Sequence, residues 1–303
     1  MDHGLTRRLT DIMRIIGRLF PKLKGIALEY ALESRMKKMF PYIDPAWRLL
    51  PAPPDFNSTA VFNDLIIDAL ASGSVTSISG IKAFTETGIE TDKDGQIELD
   101  VVIFATGYHF DYSILDPEAD PTKSSTPEWD SSPHNNGLPY PRLFQTLFSP
   151  KYPESLTFIG PCQGYTFAAL CHADLASQAI AQVWLGRFPL PSQTSIQNWC
   201  EKDYQYSLRQ INRWRIFKTG TENGAFESWL SRAAGNELEK YLGWGWKAWR
   251  FWWKERQLYM LIMDGVNTPF VYRLFEGRKG SRKQWDGARE AIYRANGKTL
   301  KVE

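Results

Sequence analysis

The sequence predicts an α/β fold: a domain of alternating strands and helices built on a parallel sheet, followed by a helical, tryptophan-rich region. Three observations predict it. Residues 99–108 read Leu-Asp-Val-Val-Ile-Phe-Ala-Thr-Gly-Tyr, so a continuous apolar run, Val101 to Phe104, precedes small residues. Such a run suits a central strand covered on both faces, and Ala105 and Gly107 remove side-chain bulk at its carboxyl end, where open α/β sheets place their ligands. Strand and helix signals alternate from Pro51 to Pro191, and most of the 12 Trp fall beyond residue 180.

Taken in order, residues 1–50 form a basic amphipathic helical segment. Ile12, Ile15, Ile16, Leu19 and Phe20 recur at three- and four-residue steps among Arg7, Arg8, Arg14, Arg18, Lys22 and Lys24, with a break at Pro21. The spacing suits a charged face packed on the rest of the protein, or contact with a membrane surface. Residues 51–191 form the α/β domain. Pro51, Pro53 and Pro54 make an extended linker, residues 65–70 a short helix, and Asp92-Lys93-Asp94-Gly95 a hairpin-type turn between strands at 85–91 and 97–104. A polar loop over 116–136 is rich in Pro, Ser and Asp, and a loop of that length is functional or mobile. Residues 156–159 read as a second buried strand and 167–185 as a helix. Residues 192–303 form the helical tryptophan-rich region, whose aromatic side chains build a core or line an apolar pocket.

The stretch from Phe84-Thr85-Glu86-Thr87-Gly88 through Asp94-Gly95 to Ala105-Thr106-Gly107-Tyr108 resembles the flavin-containing monooxygenases. Further matching segments are Leu138-Pro139-Tyr140-Pro141-Arg142-Leu143-Phe144 and Ser155 to Pro161. The resemblance covers the carboxyl half of the family. It implies a partial FAD/NAD(P)-binding, three-layer Rossmann-like domain, with FAD and NADPH as cofactors. It also implies that Ala105, Thr106, Gly107, Tyr108, Gly160 and Pro161 lie along the flavin. The related Baeyer–Villiger branch carries a Gly-x-Lys-Arg segment upstream of the strand, whereas this chain reads Pro-Ala-Pro-Pro-Asp-Phe-Asn-Ser-Thr-Ala over 51–60. The amine- and sulfur-oxidising branch, with its fungal biosynthetic relatives, matches better. Neither Gly-x-Gly-x-x-Gly turn of the family is present; the nearest string, Gly243-Trp244-Gly245, reads as a loop between aromatic helices.

Composition excludes several classes. Hydrophobic residues at 43% and charged residues at 23% are those of a globular protein, and a net charge of +2 argues against a nucleic-acid binder. No apolar run reaches the ~20 residues of a membrane span, and no secretory signal opens the chain. Cys162, Cys171 and Cys200 match no zinc pattern and suit free thiols in a reducing, cytoplasmic setting. The four histidines include no pair at metal-ligand spacing. His109, beside Tyr108 at the ligand end of the strand, is the candidate proton shuttle. Ser177, His172 and an acid have no nucleophile elbow behind them. Two readings follow. One is a FAD-dependent monooxygenase acting on a small hydrophobic substrate, oligomeric or paired with a chain that carries the amino half. The other is a cofactor-free binding or cyclising pseudoenzyme of the same family, whose chain starts at Met1.

Overall fold

The computed structural model describes residues 6–19, 30, 34, 37–38, 40–49, 63, 65–105, 111–133, 135, 137–160, 169–214, 223–277 and 280–299. The chain forms two compact units, Lys22–His109 and, separately, Met1–Pro21 together with Phe110–Glu303. The structure is mixed helix and sheet. The expected linker at Pro51–Pro54, the helix break at Pro21, and Cys162 lie outside the described residues.

The smaller unit holds helix α2 (Ile66–Ala71) and a three-stranded antiparallel sheet in the order β1 (Ile81–Phe84), β2 (Gly88–Thr91), β3 (Gln96–Glu98). The expected hairpin turn forms. Thr91 pairs across it with Gly95, whose φ of +81° suits a residue without a side chain. Gly88 is required for another reason: a Cβ there would collide with the Ile97 carbonyl of β3. Asp94 ties the turn to earlier chain by accepting from the Ser79 amide at 2.5 Å and the Arg48 guanidinium at 2.5 Å. These hydrogen bonds, the Ser79 amide first, hold its carboxyl down to about 2.

The central strand expected to run on to Phe104 does not form. β3 stops at Glu98, and residues 99–105 have no regular structure. Val101, Ile103 and Phe104 are 71%, 84% and 71% exposed. An apolar parallel strand is buried only when other strands flank it and helices cover both faces. The described part of this unit offers neither; the ring of Phe104 lies 6.0 Å from that of Phe84 between centroids.

In the larger unit, α1 (Arg7–Leu19) and α4 (Ala169–Trp184) pack with α5 (Gln193–Trp214), α6 (Asn223–Ala234), α7 (Leu238–Leu242), α8 (Trp246–Lys254), α9 (Arg256–Asp264), α10 (Phe270–Leu274) and α11 (Ala288–Ala295). The core collects Leu175, Ala179 and Val183 of α4, Phe226 and Leu230 of α6, and Ile262 and Ile292 of α9 and α11. Trp229 meets Phe144, Phe148 and Phe188 edge to face at 6.0, 5.9 and 5.8 Å. The strand expected at 156–159 is reduced to single bridges, Phe144 to Phe148 and Phe148 to Thr157, with Ile159 exposed. Gln145 and Thr146, both at positive φ, turn the chain too tightly there for a ladder to continue.

The polar segment 116–136 is not a structureless loop. Thr126 caps the short helix α3 (Pro127–Asp130), with Pro127 at its first position. Trp129 is fully buried, donates to the Leu138 carbonyl at 2.8 Å, and packs against Tyr140 at 4.8 Å. Tyr204 and Ile211 of α5 complete this second core. The tryptophans expected to build the core divide: Trp229 is buried and Trp199 packs against the core, whereas Trp184, Trp244, Trp246, Trp249 and Trp253 are exposed. The side chain of Trp214 lies outside the described residues.

Replacing Trp129 with Ala should lower stability by about 3–5 kcal/mol in urea unfolding followed by circular dichroism. Trp249→Ala, at an exposed site, should change it by no more than about 0.5 kcal/mol. Equal effects would contradict the assignment of Trp129 as the centre of the second core.

Candidate functional site

Of the expected cofactor-side residues, two are described, and they belong to different units. Ala105 follows the exposed apolar run of the smaller unit and is itself exposed. Gly160 ends the bridged segment of the larger unit at φ +113°, and a Cβ built on it meets nothing within 4 Å. A backbone at positive φ suits a residue without a side chain, and the open space is that left by the described residues. Thr106, Gly107, Tyr108, His109 and Pro161 lie outside the described residues. Gly243-Trp244-Gly245 is a loop between α7 and α8, as read from the sequence.

The helix after Gly160 forms as α4, one of whose faces carries buried Cys171, His172, Leu175, Ala176, Ala179 and Ile180. Its polar residues are engaged elsewhere and do not form a nucleophilic triad. The Ser177 hydroxyl donates to the Ala173 carbonyl at 2.5 Å, and Asp174 accepts from both terminal nitrogens of Arg282 at 3.2 and 3.1 Å. Arg282 also holds Glu276 at 2.6 Å, and Arg273 reaches the same carboxylate at 2.8 Å. Arg289 pairs with Glu255 at 2.7 Å. Arg282 and Arg289 are thus structural cross-links; Arg278 and Lys279 lie outside the described residues.

A buried polar cluster beside the start of α4 was not read from the sequence. Arg7 of α1 pairs with Glu227 of α6, and the Tyr272 hydroxyl of α10 donates to the same carboxylate at 2.9 Å. Burial alone would lower the Arg7 guanidinium and raise the Glu227 carboxyl. Their mutual attraction reverses both, holding Arg7 above and Glu227 below its ordinary value. Burial, then the Glu227 charge, pushes Tyr272 well up. Burial also pushes the Cys171 thiol to about 11 and Cys200 to about 12, so both are inert thiols. The one sequence cue for the cluster was Arg7 within an amphipathic helix, and that pattern names no partner.

Two clefts open on the larger unit. One, of about 500 Å³, is lined by Arg187, Arg232, Asn236, Glu237 and Ser281; the other, of about 310 Å³, by Asp174, Gln178 and Arg282. Charged and polar side chains line both beside apolar surface, and no tryptophan lines either, so neither is the pocket that the tryptophans suggested. No group of His, Cys, Asp and Glu among the described residues is arranged to hold a metal ion. No helix among them is long and apolar enough to cross a membrane.

Removing one partner of a buried ion pair strands the other charge. Arg7→Met and Glu227→Gln should each lower stability by about 3–5 kcal/mol in urea unfolding, and the double variant should recover part of the loss. Additive losses would show that the pair is not coupled. Asp203 gives the opposite sign. Burial raises its carboxyl, and the Tyr140 hydroxyl bond at 2.6 Å offsets only part of this. The folded state therefore gains from this group at pH below its unfolded value, and the gain is lost as pH rises through the raised folded value. Asp203→Asn keeps an oxygen for Tyr140 and should raise the unfolding midpoint at neutral pH, with the advantage shrinking below about pH 4. A pH-independent effect would contradict the assignment.

Comparison with known proteins identifies the family. The model of the flavin-binding monooxygenase-like family matches residues 2–303. Monooxygenase aurF of Gibberella zeae is 32% identical over 98% of this chain and 55% of its own length. Flavin-containing monooxygenase 3 of Canis lupus familiaris is 28% identical over 99% of this chain and 51% of its own length. The human protein of that name is 28% identical over 84% and 42%. The chain thus spans about half the length of these relatives. With a match along almost all of its residues, the chain belongs to the flavin-binding monooxygenase-like family.

Proposed function

We propose that this chain is the carboxyl-side part of a FAD-dependent monooxygenase that oxygenates a small hydrophobic metabolite at the expense of NADPH. Its flavin site is completed by a polypeptide that supplies the strands residues 99–105 lack. The observation that carries the reading is the exposure of Val101, Ile103 and Phe104 directly before Ala105. This is the sequence of a buried parallel strand without flanking strands, placed where such folds bind their ligands. The family supports FAD and NADPH, and the names of the relatives support oxygenation. Secondary metabolism is suggested by the fungal relative alone.

When bound, FAD reduced by NADPH supplies the activation of oxygen and the transfer of one oxygen atom to substrate. The chain's own contribution is the wall of the site. As the family resemblance implies, Ala105, Thr106 and Gly107 would let backbone approach the flavin, and Tyr108 would present its ring to it. Gly160, at positive φ, and Pro161 would likewise lie along the cofactor. Val101 to Phe104, once covered, exclude water from the reacting atoms. His109 holds or releases a proton at the edge of the site.

A second reading has its own support. The sequence contains no Gly-x-Gly-x-x-Gly turn, and neither described cleft is lined by Ala105 or Gly160. A cofactor-free binding or cyclising protein would need neither feature. The test is the visible spectrum of the chain purified with FAD, alone and after coexpression with the amino half of a relative such as monooxygenase aurF. The first reading expects a colourless chain alone, a yellow complex, and NADPH consumption lost on Gly107→Val. A colourless mixture that forms no complex would leave the cofactor-free reading.

A further inference from the structure

We propose that helix α8, with Trp244 before it, is a peripheral docking surface for an anionic lipid bilayer. This goes beyond the flavin site and does not depend on it. Positions 246, 249 and 253 fall on one stripe of the helix. All three are tryptophans, 77%, 61% and 70% exposed, and Trp244 is fully exposed in the preceding loop. The opposite side carries buried Ala248, and Phe251 packs there on Tyr241 at 5.9 Å and Phe275 at 5.5 Å. The outward tryptophans are therefore surplus to the core. Trp249 and Trp253 lie parallel, 6.3 Å apart between ring centroids with 4° between their planes, a stacked pair that with Trp246 makes up the exposed aromatic plate.

Charge selects the occupant. Lys247, Arg250 and Lys254 form a second stripe beside the tryptophans, at i, i+3 and i+7. α8 itself contains no acidic residue. The nearby carboxylates are Glu237, which pairs with Lys240 at 2.7 Å and sits 3.8 Å from Lys247, Glu255, held by Arg289, and the exposed Glu239. A tryptophan band bordered by cations matches the headgroup layer, where indole rings settle and basic side chains meet anionic lipid. With no helix among the described residues able to span a membrane, the contact is one of lying on the surface.

The test is co-sedimentation of the full chain with vesicles of phosphatidylcholine, with and without phosphatidylserine, across a salt series. Binding is expected on the anionic vesicles, weakening as salt rises. The triple variant W246S/W249S/W253S should bind at least about tenfold more weakly. R250Q/K254Q should lose about tenfold or more on anionic vesicles. Because all five side chains are exposed, unchanged circular dichroism will show that the variants fold. Failure of the full chain to bind, or binding that survives the triple variant, would overturn the proposal. So would a self-associated species that the triple variant dissolves in the absence of vesicle binding, since that would make the plate a protein interface.

Discussion

The larger unit is organised around the buried face of α4. Its buried positions, 171, 172, 175, 176, 179, 180 and 183, all fall on one side of the helix, and the opposite side, with Ser177 and Ala181, is exposed. Ala176 and Ala179 let α6 come close with Leu230 and Ala233, and the aromatic group around Trp229 fills the end where the chain turns through Phe144 and Phe148. Arg7 of α1 is buried against α6, and burying a guanidinium is tolerable only because Glu227 and Tyr272 meet it.

The smaller unit shows the same rule unmet. Val101 to Phe104 are as apolar as any segment of α4, yet they are exposed, because a strand cannot satisfy its backbone alone and a helix can. The two elements differ in which partners they need. α4 finds its helices within this chain, whereas a parallel strand needs neighbouring strands brought together from distant sequence.

That difference decides what was legible in the sequence. α2, α4 and the 92–95 turn are visible because their signals are local: periodicity for the helices, Asp-Gly for the turn. Trp129 was hidden in a polar segment, since its burial depends on Tyr204 and Ile211, more than 70 residues away. The outward tryptophans of α8 were hidden for the converse reason, because composition records how many there are and not which side they face. For the flavin-side residues, the motif and the family were legible. The cross-links by Arg282 and Arg289 had no local signature at all, because a basic run looks the same whether it is solvated or paired.

The uneven placement of the tryptophans also governs how this protein will look in the spectrofluorimeter. Trp129 sits in a dry, ring-lined pocket, while Trp244, Trp246, Trp249 and Trp253 already face solvent in the native state. Their emission is red-shifted before any unfolding begins, and the parallel pair Trp249 and Trp253 is close enough to exchange excitation. Intrinsic fluorescence will therefore follow quenchers at the surface of α8 far more faithfully than it follows the collapse of the core.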